Sequence, residues 1–526
     1  MNWLDLAGAL ESEKDKSEPL YLQIVKFISG RIESGELAAG DRLPTNRELA
    51  HQLKVDRSTI SRAYAELSEL GVIESHVGRG TFVRSATPRT PRPKTNAGGG
   101  IAWNERFSQG SRTVSDIMDK QPPVAHAPEL ISFGGGLPTE EFYPFDELKR
   151  MLGDVLQSPK SSGLFEYSPA EGVATLRTEV LKHLSAQGIQ AEDDELLIVS
   201  GSQQAIDLVT TVFVDPGDTV LLEDPSYFWA ICNLRSHQAR CVPVRVDDDG
   251  IDLEQLEREL SRNRAKLIYT MPSYQNPTGA AMSLEKRHRL LELSKKYGVP
   301  ILEDNFVGDL SYDGPALPPL RALPGGRDLV IHQGTFSKAL CPGLRLGWLV
   351  APAEVIARLL LAKRVSDLST NSMAQLTLAH YLSAGLYSQH LQRVCAAYKK
   401  RRDVMLSAFN KYFRRSEPGW AVSWNKPHGG LFVWMKLPSS FSARELKRFA
   451  EAEGVTFSPG DLFFLSGDRH EFLRLCFIQT NEQQINEGMK RLSVAYEKYL
   501  ESLRLMDRSR SLKQESMSRR RDQVLI

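Results

Sequence analysis

Cysteine is scarce in this chain of 526 residues: five occur, Cys232, Cys241, Cys341, Cys395 and Cys476. They are odd in number and never form a Cys-x-x-Cys pair, so neither a disulfide framework nor a zinc site is suggested, and no metal is expected. Excess charge is missing too. A net charge of +1 gives no global attraction to nucleic acid, so any such binding must come from a local patch. No apolar run reaches the ~18 residues that a membrane span needs. Met1 to Glu18 alternates acidic and basic residues without the apolar core of a signal peptide, and a cytoplasmic protein is expected. What remains is ample material for a globular core, with 41% hydrophobic and 25% charged residues, in a chain long enough for two or three units.

The most informative stretch runs from Gly334 to Trp348. Lys338 follows the apolar run Leu329 to Ile331, which reads as a buried strand of a parallel sheet. An ammonium group in so apolar a setting loses hydration, which lowers its pKa and frees an amine for Schiff-base chemistry. Thr335, Ser337 and Arg345 lie close by in sequence and are the groups a phosphate needs. An amine beside a phosphate cradle is what pyridoxal phosphate requires. An isolated Ser-Lys pair would otherwise read as a surface lysine in a glycine-containing loop. The whole stretch resembles the lysine loop of fold-type-I aminotransferases.

Near the N-terminus, Leu20, Ile24, Phe27, Ile28 and Ile32 mark one face of a helix that stops at Ser34-Gly35. Thr45 with Glu48 predicts a capping box for a short second helix. Asp56 or Ser58 starts a third, with Ile60, Tyr64 and Leu67 inward, and Val77 to Val83 reads as a tight hairpin. Three helices and a hairpin describe a winged helix-turn-helix. The third helix offers Arg57, Ser58, Thr59, Ser61 and Arg62 at the end that meets base edges and phosphates, and Arg79 at the wing tip suits a minor groove. A helical bundle with a merely solvated polar face is the plainer alternative. The ordered combination PLYLQI, GDRLPTNRELA, DRSTISRAY and GRGTFV resembles the GntR-type DNA-binding domain over residues 17–84. That resemblance implies DNA contacts at Arg47, Arg57, Thr59 and the wing tip, with Glu66, Glu69 and Glu74 facing away from the duplex.

Residues 85–128 read as a linker: a stiff, basic, proline-rich piece and then Asn96-Ala-Gly-Gly-Gly. A partly ordered arm at Ile117 and Met118 is the alternative. Residues 129–500 alternate strand-like runs with amphipathic helices, an α/β pattern around a mostly parallel sheet. Successive strands deliver Ser202, Tyr227, Asn276, Asp304 and Lys338 from their C-terminal ends, where ligands gather in such sheets. Ser200-Gly201-Ser202-Gln203 is a strand-to-helix junction that suits an anion. Residues 501–526 turn basic and read as a frayed tail.

The series SGSQQAID, DPSYF, NPTG, ED and SK-A-L-x-PG-x-R resembles fold-type-I aminotransferases from about Leu130 to Leu500. The resemblance implies pyridoxal 5'-phosphate held by Lys338 as an internal aldimine. It implies Asp304 at the pyridine nitrogen, Asn276 at the phenolic oxygen and Tyr227 stacked on the ring. Ser202, Gln203, Ser337 and Arg345 would hold the phosphate with help from Thr335, Tyr167 would reach it across a dimer, and Arg474 would grip a substrate carboxylate. One departure is plain. The tyrosine usual two or three residues after the ring aspartate is replaced by Phe306 and Val307, which removes one donor to the phenolic oxygen.

A GntR-type head ahead of such a body resembles the MocR family of bacterial regulators, usually head-to-tail dimers. This implies a regulator that binds double-stranded DNA and senses an amino acid, another amine or the cofactor itself through an aldimine at Lys338. The alternative is a working aminotransferase with an accessory DNA-binding domain, which the retained Asn276, Asp304, Lys338 and Arg474 support and the missing tyrosine opposes.

Overall fold

A computed structural model describes residues 20–33, 36–37, 40–69, 72–76, 80–83, 101, 103–119, 130–158, 164–413 and 420–522. The chain forms two compact units that divide between Phe107 and Ser108.

In the first unit, α1 (Leu20–Glu33), α2 (Asn46–Leu53) and α3 (Arg57–Glu69) pack around a small core that includes Ile24, Ile28, Leu49, Ile60 and Leu67. The expected capping box is present: the Glu48 amide donates to Thr45 Oγ1 at 3.2 Å, and the Thr45 amide donates to Glu48 Oε2 at 2.8 Å. Asp56 starts α3, accepting at Oδ1 from the Ser58 amide and hydroxyl, both at 3.0 Å. Strands β1 (Arg42–Leu43), β2 (Ile73–His76) and β3 (Gly80–Val83) form an antiparallel sheet in the order β1-β3-β2. This is the expected winged helix-turn-helix. Ser34-Gly35 and the wing tip with Arg79 lie outside the described residues.

The second unit begins with a correction. Where the sequence predicts a linker across 85–128, Gln109–Asp119 forms a helix, α4, that packs within the body. Ser108 Oγ accepts from the Ser111 amide and opens it. Gly110 is buried so closely that a Cβ there would collide with the Ser236 carbonyl oxygen. The arm alternative at Ile117 and Met118 is therefore the one the structure adopts. After β4 (Ile131–Ser132) comes the central sheet: β5 (Leu196–Val199), β6 (Thr219–Asp224), β7 (Arg240–Asp247), β8 (Gly250–Ile251), β9 (Ala265–Thr270), β10 (Ile301–Asp304), β11 (Val330–Thr335) and β12 (Gly347–Val350). Its order is β5-β12-β11-β10-β9-β6-β7-β8, parallel from β11 to β7, with β12 and β8 antiparallel to their neighbours.

Period-two alternation sends Val220, Leu222, Leu267 and Leu302 to one core and Leu221, Ile268, Ile301 and Val330 to another. With both faces covered, β5 and β10 to β12 are buried throughout, the reason those strands read as continuous apolar runs. A smaller sheet, β13 (Ser423–Trp424), β14 (Phe432–Lys436), β17 (Phe472–Cys476) and β16 (Ser458–Pro459), carries Arg474, while β15 (Val455–Thr456) pairs with β4. A second correction falls at the C-terminus: the last helix runs unbroken from Glu482 to Asp522, where a frayed tail is expected from residue 501. Among the described residues no helix is long and apolar enough to cross a membrane.

Candidate functional site

On the DNA-facing candidates of the head, Arg47 on α2 and Arg57 and Ser58 on α3 are exposed, and Thr59 is half-buried. Arg47 and Arg57 have no ion-pair partner among the described residues, so both guanidinium groups are available to phosphate or base edges. Arg62 is exposed but already engaged, its guanidinium lying 4.1 Å from the Tyr21 ring centroid. The Ser58 hydroxyl is spent on Asp56, which makes it a helix-starting group first.

In the body, one cavity of about 410 Å³ opens at the C-terminal edge of the parallel strands. It gathers Ser202, Tyr227, Asn276, Asp304, Lys338 and Arg474, six of the residues singled out by sequence. Each arrives by a short connection: Ser202 begins helix α5 (Ser202–Phe213) after β5, Tyr227 precedes helix α6 (Phe228–Ser236) after β6, and Lys338 follows β11.

Lys338 Nζ donates to the Gly136 carbonyl at 3.0 Å and has no carboxylate partner among the described residues. Burial lowers its pKa to about 8, with Arg474 and Arg345 adding to the effect. Asp304, only 2% exposed, is pushed up to about 6 by burial, although Tyr269 and Gln333 both donate to it. The Tyr269 hydroxyl reaches Asp304 Oδ2 at 2.6 Å. No cation faces this carboxylate among the described residues, so a protonated ring nitrogen would restore its charged form.

Arg474 is the second unbalanced charge. Its Nη1 donates to Asn276 Oδ1 at 2.8 Å and its Nη2 to the Gly134 carbonyl at 2.8 Å. Its Nε is buried without a partner, and the guanidinium lies 4.1 and 4.7 Å from the ring centroids of Phe432 and Phe463. Desolvation lowers its pKa to about 10. A buried guanidinium that meets carbonyls and aromatic faces but no carboxylate is a site for an anionic ligand.

The remaining phosphate candidates sit behind Ser202. Gly201, at φ +91°, leaves room that a Cβ would close at 2.7 Å from Arg345 Nη2. Arg345 Nη2 itself donates to the Ser200 carbonyl at 3.1 Å. Thr335 Oγ1 donates to Ser337 Oγ at 2.9 Å and faces a smaller inner cavity, so it acts on the loop through Ser337. Gln203 turns its amide to the Trp229 carbonyl at 3.4 Å. Tyr167 stands 82% exposed on the surface, outside the cavity lining. An amine, an uncompensated carboxylate, a tyrosine in the lining and a helix start beside Arg345 together fit pyridoxal phosphate.

Sequence reasoning missed Tyr269, Gln333, the Gly134 and Gly136 carbonyls and the aromatic wall of Trp229, Phe432 and Phe463. It also missed Glu223, fully buried on β6, which burial pushes up to about 7 while Thr270, Met271 and Gln275 donate to it.

Family models place the site in context. Residues 139–492 match the model for aminotransferase class I and II, and residues 20–83 match that for bacterial regulatory proteins of the gntR family. The HTH-type transcriptional regulator TauR of Rhodobacter capsulatus is 31% identical over 89% of this chain and 95% of its own length. The uncharacterized HTH-type transcriptional regulator YdfD of Bacillus subtilis is 30% identical over 92% of this chain and 98% of its own. The crystal structure of LysN, an α-aminoadipate aminotransferase of Thermus thermophilus complexed with N-(5'-phosphopyridoxyl)-L-leucine, matches with a TM-score of 0.69. It is 36% identical, covering 76% of this chain and 99% of that one.

Proposed function

The chain belongs to the aminotransferase class I and II family, joined to a gntR-family head in the MocR-type order, and from that premise we propose that it is a transcriptional regulator whose body senses an amino compound at Lys338. The coarser part of this stands on the family: a DNA-binding regulator with an aminotransferase-like body whose cofactor is pyridoxal 5'-phosphate. The observation that carries the finer part is the pairing, in one cavity, of a depressed amine and a buried guanidinium without a carboxylate.

When bound, pyridoxal phosphate supplies an aldehyde that condenses reversibly with primary amines. The Lys338 amine would hold that aldehyde and would compete for it with the amine of an incoming amino compound. Asp304 would keep a proton on the ring nitrogen, Asn276 would donate its amide to the phenolic oxygen, and Tyr227 would cover one ring face. Arg345, Ser337 and the first-turn amides of α5 would hold the phosphate. Arg474 takes the carboxylate of the amino compound. The release of Lys338 and the filling of Arg474 favour one arrangement of the body over another, and only such differential affinity can move the DNA-binding equilibrium. The strongly exposed Phe165 and Tyr167 support a homodimer, of the head-to-tail kind, in which a second copy covers them. Two heads then meet paired half-sites on bacterial DNA in the cytoplasm.

The test is a titration of the cofactor-loaded protein with amino acids and amines while its absorbance and its DNA footprint are followed together. A footprint indifferent to every compound that changes the absorbance would contradict regulation by sensing. A second reading, catalytic transamination, is favoured by the convergence of Asn276, Asp304, Lys338 and Arg474 on one cavity. Sustained formation of product, many equivalents per subunit with 2-oxoglutarate or pyruvate as acceptor, would establish it.

A further inference from the structure

The cavity that holds Lys338 and Arg474 has a second half that neither the cofactor nor a carboxylate explains. Met118 of α4, Phe228 and Trp229 of α6, Phe306, Leu462 and Phe463 line it, all apolar. Its polar side chains, the Tyr227 hydroxyl and the Trp229 indole N–H aside, are Ser202, Asn276, Asp304, Lys338, Ser458 and Arg474. Five of these serve the cofactor or a carboxylate, and Ser458 donates to the Gly134 carbonyl at 2.7 Å. Among the described residues the lining therefore has no third cation to receive a distal acid.

Phe463 is held in place from behind, its ring 6.0 Å from that of Trp434, which itself stacks on Phe472 at 5.2 Å. Phe228 and Trp229 meet edge to face at 5.1 Å. These walls are braced, and a brace of rings favours an apolar occupant over one that needs its own solvent. A second carboxylate placed against them would lose water and find no cation to balance its charge.

The geometry points to an α-amino acid with a bulky aromatic or branched apolar side chain as the ligand of this cavity, its carboxylate on Arg474 and its side chain against Met118, Trp229, Leu462 and Phe463. Dicarboxylic amino acids and unbranched ω-amino acids are discriminated against, the former by the missing cation and the latter by leaving the walls unfilled. This inference rests on the reading that Lys338 and Arg474 form the amino-compound site, and it names the class of compound that the site takes.

Two titrations decide it. With the cofactor-loaded protein, L-phenylalanine and L-leucine change the absorbance at concentrations roughly tenfold or more below those required of L-glutamate or 4-aminobutyrate. With cofactor-free protein, calorimetry finds 3-phenylpropanoate bound more tightly than the unbranched monoacid butanoate, without any covalent step. Equal or tighter binding of glutamate or 4-aminobutyrate to the loaded protein, or of butanoate to the cofactor-free protein, overturns the inference. Absence of any cofactor absorbance overturns the Lys338 reading, and the calorimetric comparison still decides the side-chain class. Trp229 is 45% exposed, so Trp229→Arg places a cation at the rim without burying it. That variant moves the preference toward glutamate by roughly tenfold; an unchanged ranking removes Trp229 from the wall and contradicts the placement.

Discussion

The charged forms of Asp304 and Lys338 are disfavoured by the same main cause, burial, and both cost stability. The Asp304 carboxyl rises from 3.8 to about 6. The folded state thus binds its proton more tightly than the unfolded chain does, so stability falls as pH rises between those values and stays lowered above them. Ionised Asp304 costs about 3 kcal/mol on that shift. Asp304→Asn is therefore expected to stabilise the cofactor-free protein at pH 8, by up to that amount, while weakening cofactor retention. The gain should narrow as pH falls from 7 to 5. Thermal unfolding of the two proteins across that range checks it, and a gain independent of pH would assign the effect to something other than the charge. In the head, Arg57→Ala should weaken binding to the target DNA by about 1–3 kcal/mol if its guanidinium reads a base. Mobility shifts on specific and scrambled duplexes measure this, and an unchanged preference for the specific duplex would place the recognition surface elsewhere.

At the scale of elements, the chemistry depends on connections rather than on strands. Lys338, Ser202 and Tyr227 were legible because each follows an apolar run in a fixed motif, and the sheet delivers them to one edge as the alternation of strands and helices implies. Tyr269 and Gln333 were not legible as partners of Asp304. Gln333 meets Asp304 because the two are register partners between β10 and β11, and Tyr269 stands one strand away on β9. Register between parallel strands is set by packing across the whole sheet and leaves no local mark. The arm shows the same limit: α4 has few apolar residues, and its docking rests on Gly110 fitting against the Ser236 carbonyl. The head was readable almost residue by residue, because its capping box and helix faces are local signals.

Gly110→Ala should press the arm off the body at a cost of about 1–3 kcal/mol. Limited proteolysis should then cut near α4 sooner, and amino acids should bind more weakly because Met118 leaves the cavity wall. Gly153, also helical, has open space where a Cβ would stand, with no atom within 4 Å, so Gly153→Ala serves as the clash-free control, expected to gain about 0.5–1 kcal/mol from helix propensity. Equal protease resistance of the two variants would show that the contact at Gly110 does not hold α4 down.

For the molecule as a whole, a regulator is defined by the link between its two ligands. If an amino acid changes the affinity for DNA by some factor, DNA must change the affinity for that amino acid by the same factor, since both are one coupling free energy. Calorimetric titration of the amino acid with and without a saturating operator duplex measures one side and footprinting the other. Unequal factors would mean that the two measurements report different equilibria, and a factor of one in both would leave the body without influence over the head.

On this reading the amine of Lys338 carries pyridoxal phosphate inside a DNA-binding protein. Borohydride reduction of the purified holoprotein followed by peptide mass mapping tests it most directly. The phosphopyridoxyl group is expected on the peptide that contains Lys338; finding it on another lysine, or on none, would contradict the claim.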